Sequence, residues 1–129
     1  MSENSRNFQV SDASGRTWQV EFRWQQNGIS IRHSDSVDCK YYLSSGAEKR
    51  ELAVALMHPD LSRAAEKLGR AVSDAWCLRL AAAHVRRLIE SGQDLENALV
   101  VVAPEALAGY AEALDRADRA EQERLAATR

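Results

Sequence analysis

At 129 residues and 14.4 kDa the chain suits a single domain, 1–129, and 45% hydrophobic with 28% charged residues is the composition of a folded protein. A net charge of −2 argues against general affinity for nucleic acid or an anionic membrane. No stretch approaches the ~18 apolar residues of a membrane span, the polar start from Met1 to Asn7 lacks a signal-peptide pattern, and two cysteines are too few for a disulfide framework, so a reducing, cytoplasmic setting is expected.

The first 43 residues read as an antiparallel meander. Trp18, Val20, Phe22 and Trp24 alternate with polar residues, as in a strand with one buried face. Asn27-Gly28 tolerates positive φ and suits a two-residue hairpin loop, which would set Gln26 against Ile29, Trp24 against Ile31 and Phe22 against His33. A second turn at Ser34-Asp35-Ser36 then places His33 opposite Val37, Ile31 opposite Cys39 and Ile29 opposite Tyr41. Both turns gather apolar side chains on one face, with Trp24, Ile31 and Cys39 as a buried layer. Phe8 and Val10 suit a fourth strand.

After Leu43 the period changes. Ser45 and Glu48 have capping-box spacing and predict a helix to about Met57, ended by Pro59. Leu61, Ala64, Ala65 and Leu68 follow helical spacing and stop at Gly69. A longer helix is expected from about Arg70 to Ser91, closed by Gly92, with Ala71, Ala75, Leu78, Ala82, Val85 and Ile89 on its inner side. Leu99 to Val102 reads as a short strand, and Pro104 opens a last helix with Leu107, Tyr110, Ala111 and Leu114 on its apolar side. Residues 1–7 and about 120–129 are expected to be flexible or solvated. The predicted fold is α+β: an N-terminal antiparallel meander of three or four strands packed against a helical C-terminal half.

Charge follows the same division. Residues 48–87 hold eight basic and five acidic side chains, and residues 90–129 hold four basic and nine acidic ones. These two regions could attract each other, within a chain or between chains, or simply be solvated.

Chemistry-bearing residues are scattered. His33, His58, His84, Cys39 and Cys77 offer no local ligand pair of the kind zinc sites use, so no metal is expected. Cys39 in a sheet face and Cys77 between Trp76 and Leu78 lack the setting of a nucleophilic thiolate. The glycines form no phosphate-cradling pattern. Neither a cofactor nor a catalytic residue is assigned.

Residues 61–80 partly fit a helix-turn-helix through Ala65, Gly69 and Leu78. The would-be reading helix lacks Arg, Asn and Gln for base edges, although Arg63, Lys67, Arg70 and Arg79 suit phosphates. A second stripe on the long helix, Val72, Trp76, Leu80 and Ala83 bordered by Arg79, Arg86 and Arg87, is the candidate partner-binding surface. It is to be covered either by the last helix of the same chain or by another subunit. The leading functional expectation is a small non-enzymatic protein-interaction module, a homodimeric adaptor or regulator with no membrane role. A DNA-binding regulator is the alternative, and an enzyme with an unrecognised site comes third.

Overall fold

A computed structural model of the chain describes residues 5–28, 36–92 and 98–127. Strands β1 (Asn7–Ser11), β2 (Thr17–Gly28), β3 (Ser36–Ser45) and β4 (Glu48–Met57) follow one another as an antiparallel meander. The chain then crosses through helices α1 (His58–Leu68) and α2 (Asp74–Ser91) and returns as β5 (Leu99–Val101), parallel to β4. Sheet order is β1-β2-β3-β4-β5, and helix α3 (Pro104–Ala127) ends the described chain. The architecture is α+β, with the meander in the first half and the helices in the second.

Period-two alternation drives one face of the sheet inward. Val10, Trp18, Val20, Val37, Cys39, Tyr41, Leu43, Leu52, Val54 and Leu56 are all buried there, under α1 and α2. Helix α3 packs on α1 and α2, and Leu107 and Ala111 are its buried residues. Polar contacts fix the ends of this layer. Asp12, between β1 and β2, accepts from Ser14 N–H, Ser14 O–H and Arg16 N–H on one oxygen and from the Trp18 indole N–H on the other. These donors hold its carboxyl at a pKa of about 2.

Three expectations need correction. Residues 48–57 form a strand and not a helix. Leu52, Val54 and Leu56 point inward in strict alternation, and Gly46, at φ +60°, turns β3 into β4. The capping box does not form, because Ser45 Oγ donates to Thr17 O and accepts from Arg16 Nε, while Glu48 pairs with Arg50 and Arg16. Its spacing was met by side chains that had nearer partners.

The hairpin loop is the second. Asn27 and Gly28 belong to β2 and pair with Val37 and Ser36, so β2 adjoins β3 directly. The predicted strand residues Ile29, Ile31 and His33 lie outside the described residues. Direct pairing sets Phe22 opposite Tyr41, with the rings edge to face at 5.8 Å, a geometry aromatic pairs prefer.

Third, Trp24 leaves the buried face. A register shift between Phe22 and Trp24 inserts one residue, so Trp24 pairs with Lys40 and Gln25 with Cys39. A one-residue insertion reverses the parity of every side chain beyond it.

The helical half matches more closely. Pro59 lies in the first turn of α1 and does not end a preceding helix. Gly69 and Gly92 close α1 and α2 in the left-handed region, at φ +65° and +71°. Helix α2 starts later than expected, at Asp74, because Ser73 caps it by accepting from Trp76 N–H. Ala71 and Val72 therefore fall in the link between the helices, exposed, and Ala75 is exposed on the first turn.

Candidate functional site

The stripe on α2 is filled from within the chain. Trp76 and Leu80 are 1% and 0% exposed and share one apolar cluster with Leu107 and Ala111 of α3. Around them Arg79 clamps Asp118 of α3 through two bonds of 3.0 and 2.9 Å, and His84 Nδ1 meets the Tyr110 hydroxyl at 2.8 Å. Burial raises the Tyr110 pKa, against the Arg87 side chain that reaches it. Arg86 turns to the sheet side, over the Phe8 ring at 4.9 Å. Ala83 is half-buried and Val72 lies off the helix. The seven candidate residues thus do not form one free surface.

The cations of the helix-turn-helix segment are engaged too. Lys67 pairs with Glu112 at 3.0 Å. Arg70 lies 3.9 Å from Asp118 and 4.8 Å over the Trp76 ring. Arg79 completes the cluster on Asp118, whose carboxyl is held below its ordinary pKa chiefly by that bond. Arg63 pairs with Asp60 of its own helix. The basic middle and acidic end of the chain therefore attract each other within one molecule.

Both cysteines are buried and free. Desolvation pushes Cys39 to a pKa of about 12 and Cys77 to about 11, so both stay protonated thiols at neutral pH. Among the described residues no group of His, Cys, Asp and Glu gathers as a metal ion requires, and no helix is long and apolar enough to cross a membrane.

The opposite face of the sheet is different. Six large apolar side chains are exposed among the described residues, and four of them lie on this face: Trp24, Tyr42, Leu99 and Val101, at 40%, 38%, 58% and 59%. Pairing places them in register. One row across the sheet reads Trp24, Lys40, Ala53, Leu99, and the next reads Gln26, Asp38, Ala55, Val101. Tyr42 adjoins the first row along β3 and lines two neighbouring hollows, one with Gln9 and Gln19 and the other with Lys49 and Glu51, both shared with Glu21 and Ser44.

Four charges on this face pair locally, and Asp38 accepts from the Ser36 hydroxyl. Arg23 reaches Glu21 at 3.4 Å and lies 4.8 Å over the Tyr42 ring. Lys40 reaches Glu51 at 3.4 Å and lies 5.9 Å from the rings of both Trp24 and Tyr42. Aromatic rings with cations laid on them, flanked by aliphatic side chains, match the residue types enriched at protein-binding surfaces.

The bulge that turns Trp24 out has a cost on the covered side. Gln25 takes the inward position opposite Cys39, and its Nε2 is buried without a hydrogen-bond partner. Local rules broken in this way concentrate at functional positions.

One sequence signal did point here: Tyr41 and Tyr42 are adjacent in a strand, so one ring must face away from the core. The short apolar run at Leu99–Val101 carries the same message. The parity change at Arg23 had no such signal. Searches of family models, curated proteins and solved structures found no match to this chain.

Proposed function

We propose that the chain is a small non-enzymatic protein-interaction module, an adaptor or regulator of the cytoplasm, and that it binds through the open face of its sheet. The observation that carries this reading is the outward Trp24, set beside Tyr42 and in register with Leu99, on a face where Arg23 pairs with Glu21 and Lys40 with Glu51. A coherent apolar patch of this kind is the usual mark of a docking surface. Burial and protonation of Cys39 and Cys77 support a role without thiol chemistry and suit a reducing compartment.

The test compares wild type with Val101→Asp as baits in extract of the native cell, after circular dichroism has shown both folded. Proteins retained by wild type and lost from the variant support the open face. Identical retention by both would overturn it. Retention on DNA that falls steeply with salt would instead favour the DNA-binding alternative. The pairing of Lys67, Arg70 and Arg79 with α3 speaks against that alternative.

A further inference from the structure

We infer that Arg70 and Arg79, where α1, α2 and α3 meet, form a binding site for a free tetrahedral oxyanion of the phosphate type, in which Asp118 of α3 stands as an internal competitor. The inference concerns a different surface from the open sheet face and does not depend on the docking role proposed for it.

Donors and acceptors are mismatched at this junction. Arg79 grips both oxygens of Asp118, Nη1 to Oδ2 at 3.0 Å and Nη2 to Oδ1 at 2.9 Å. Arg70, in the link that follows α1, shares that carboxylate only at a distance: its Nη1 stays 3.9 Å from Oδ2, beyond hydrogen-bond reach. Among the described residues its Nε is buried without a hydrogen-bond partner, and so is the indole N–H of Trp76, whose ring lies 4.8 Å from the Arg70 guanidinium. Trp76 is 1% exposed, so its N–H is out of reach of bulk water. Two unbonded buried donors beside a half-shared carboxylate mark a site short of acceptor oxygens.

Shape selects the ligand. A carboxylate has two oxygens in one plane, and the bidentate pair with Arg79 occupies both. A tetrahedral oxyanion presents two oxygens to the same fork and keeps two more out of that plane, available to Arg70. Charge agrees, because two guanidiniums match a phosphate dianion where Asp118 supplies one negative charge. Access agrees as well: the side chains of Arg70, Arg79 and Asp118 are 29%, 35% and 41% exposed, so an ion from solvent reaches the guanidiniums.

Asp118 is held lightly enough to be displaced. Leu107 and Ala111 anchor α3, with Leu114 packed against the same cluster, and every residue from Arg119 to Ala127 is exposed. Between these regions Asp118 is kept in place by part-exposed ion pairs, which stabilise little. An arriving oxyanion therefore displaces one side chain and leaves the anchors seated. The ligand is a free ion rather than a nucleic-acid backbone, because Glu112 and Asp115 lie on the same stretch of α3 and repel an extended polyanion, whereas a small ion avoids them.

Calorimetric titration with inorganic phosphate at constant ionic strength compares wild type with Asp118→Ala, after circular dichroism has shown both folded. Removing the competitor should tighten binding at least about 10-fold. Asp118→Asn, which keeps the side-chain shape and loses the charge, is the second variant and should shift the same way. Adding Arg70→Gln to either should weaken binding at least about 10-fold. Sulfate should bind like phosphate, and acetate, planar and with two oxygens, should bind at least about 10-fold more weakly. Equal binding by wild type and both Asp118 variants, no binding by either variant up to about 10 mM phosphate, indifference to Arg70→Gln, or acetate binding as tightly as phosphate would each overturn the inference. Retention of the Asp118 variants on duplex DNA, lost with Arg70→Gln, would overturn the free ion and place the oxyanion in a nucleic-acid backbone instead. None of these outcomes bears on Val101→Asp, which tests the open face alone.

Discussion

Trp18 and Trp24 lie on one strand, look alike in sequence, and end on opposite sides of the sheet. Trp18 is 2% exposed, with its indole N–H on Asp12, under the helices. Trp24 is 40% exposed, with Lys40 beside its ring. Between them sits the inserted residue at the Phe22/Trp24 register shift. Strand alternation is a parity rule, and one bulge inverts it for everything downstream. The covered face accounts for stability, and the open face is the one we propose for recognition.

The sharpest way to break this comparison is to truncate both tryptophans. Trp18→Ala should cost about 3–5 kcal/mol, the range for a large aromatic in a core. Trp24→Ala, measured by urea unfolding at a concentration too low for association, should cost less than about 1 kcal/mol. Equal costs would mean that both rings are buried and the bulge is wrong.

Helix α3 offers the same contrast along its length. It spans 24 residues, about 36 Å, yet Leu107 and Ala111 are buried while every residue from Arg119 to Ala127 is exposed. Leu107→Ala should cost about 2–4 kcal/mol by thermal unfolding. Ending the chain after Arg119 should change stability by less than about 1 kcal/mol, because Asp118 and its arginine partners are retained.

Gln25 sharpens the comparison from the other direction. Gln25→Leu removes a buried amide donor that has no partner and should stabilise by up to about 1 kcal/mol in urea. Trp24 fluorescence should keep its solvent-exposed character. A blue shift of that emission would show that Gln25 helps hold the bulge open.

Covered thiols give a kinetic readout. Cys39 and Cys77, with pKa values pushed up to about 12 and about 11, should react with thiol reagents at pH 8 only as fast as the chain opens. Labelling of native Cys39 at the rate of a free thiol would contradict its place beneath α2.

Acid gives the smallest effect. The folded pKa of Asp12 lies below its ordinary value of 3.8, at about 2. A depressed carboxylate stabilises fully above the ordinary value and loses that contribution as pH falls through the folded one. Asp12→Asn should therefore flatten the decline of stability between pH 4 and pH 2, followed by unfolding at several acid pH values. An unchanged slope would show that Asp12 is not held by its four donors.

Sequence by itself determined the elements that local chemistry closes. Gly69 and Gly92 end helices because a left-handed residue after the last turn is cheapest at glycine, and Pro104 opens α3 because its missing N–H is not needed there. Leu61, Ala64 and Ala65 mark the buried side of α1 by spacing alone. Only the tertiary structure decided what depends on distant partners. Residues 48–57 became a strand because β3 supplied a ladder and α2 a cover, against a capping box that reads equally well on paper. The stripe on α2 was closed by α3 through Asp118 and Tyr110, a choice between two covers that helical spacing cannot make. The open face emerged from pairing. Periodicity reports which side chains share a face only while the register is unbroken, and a bulge is a property of two strands together.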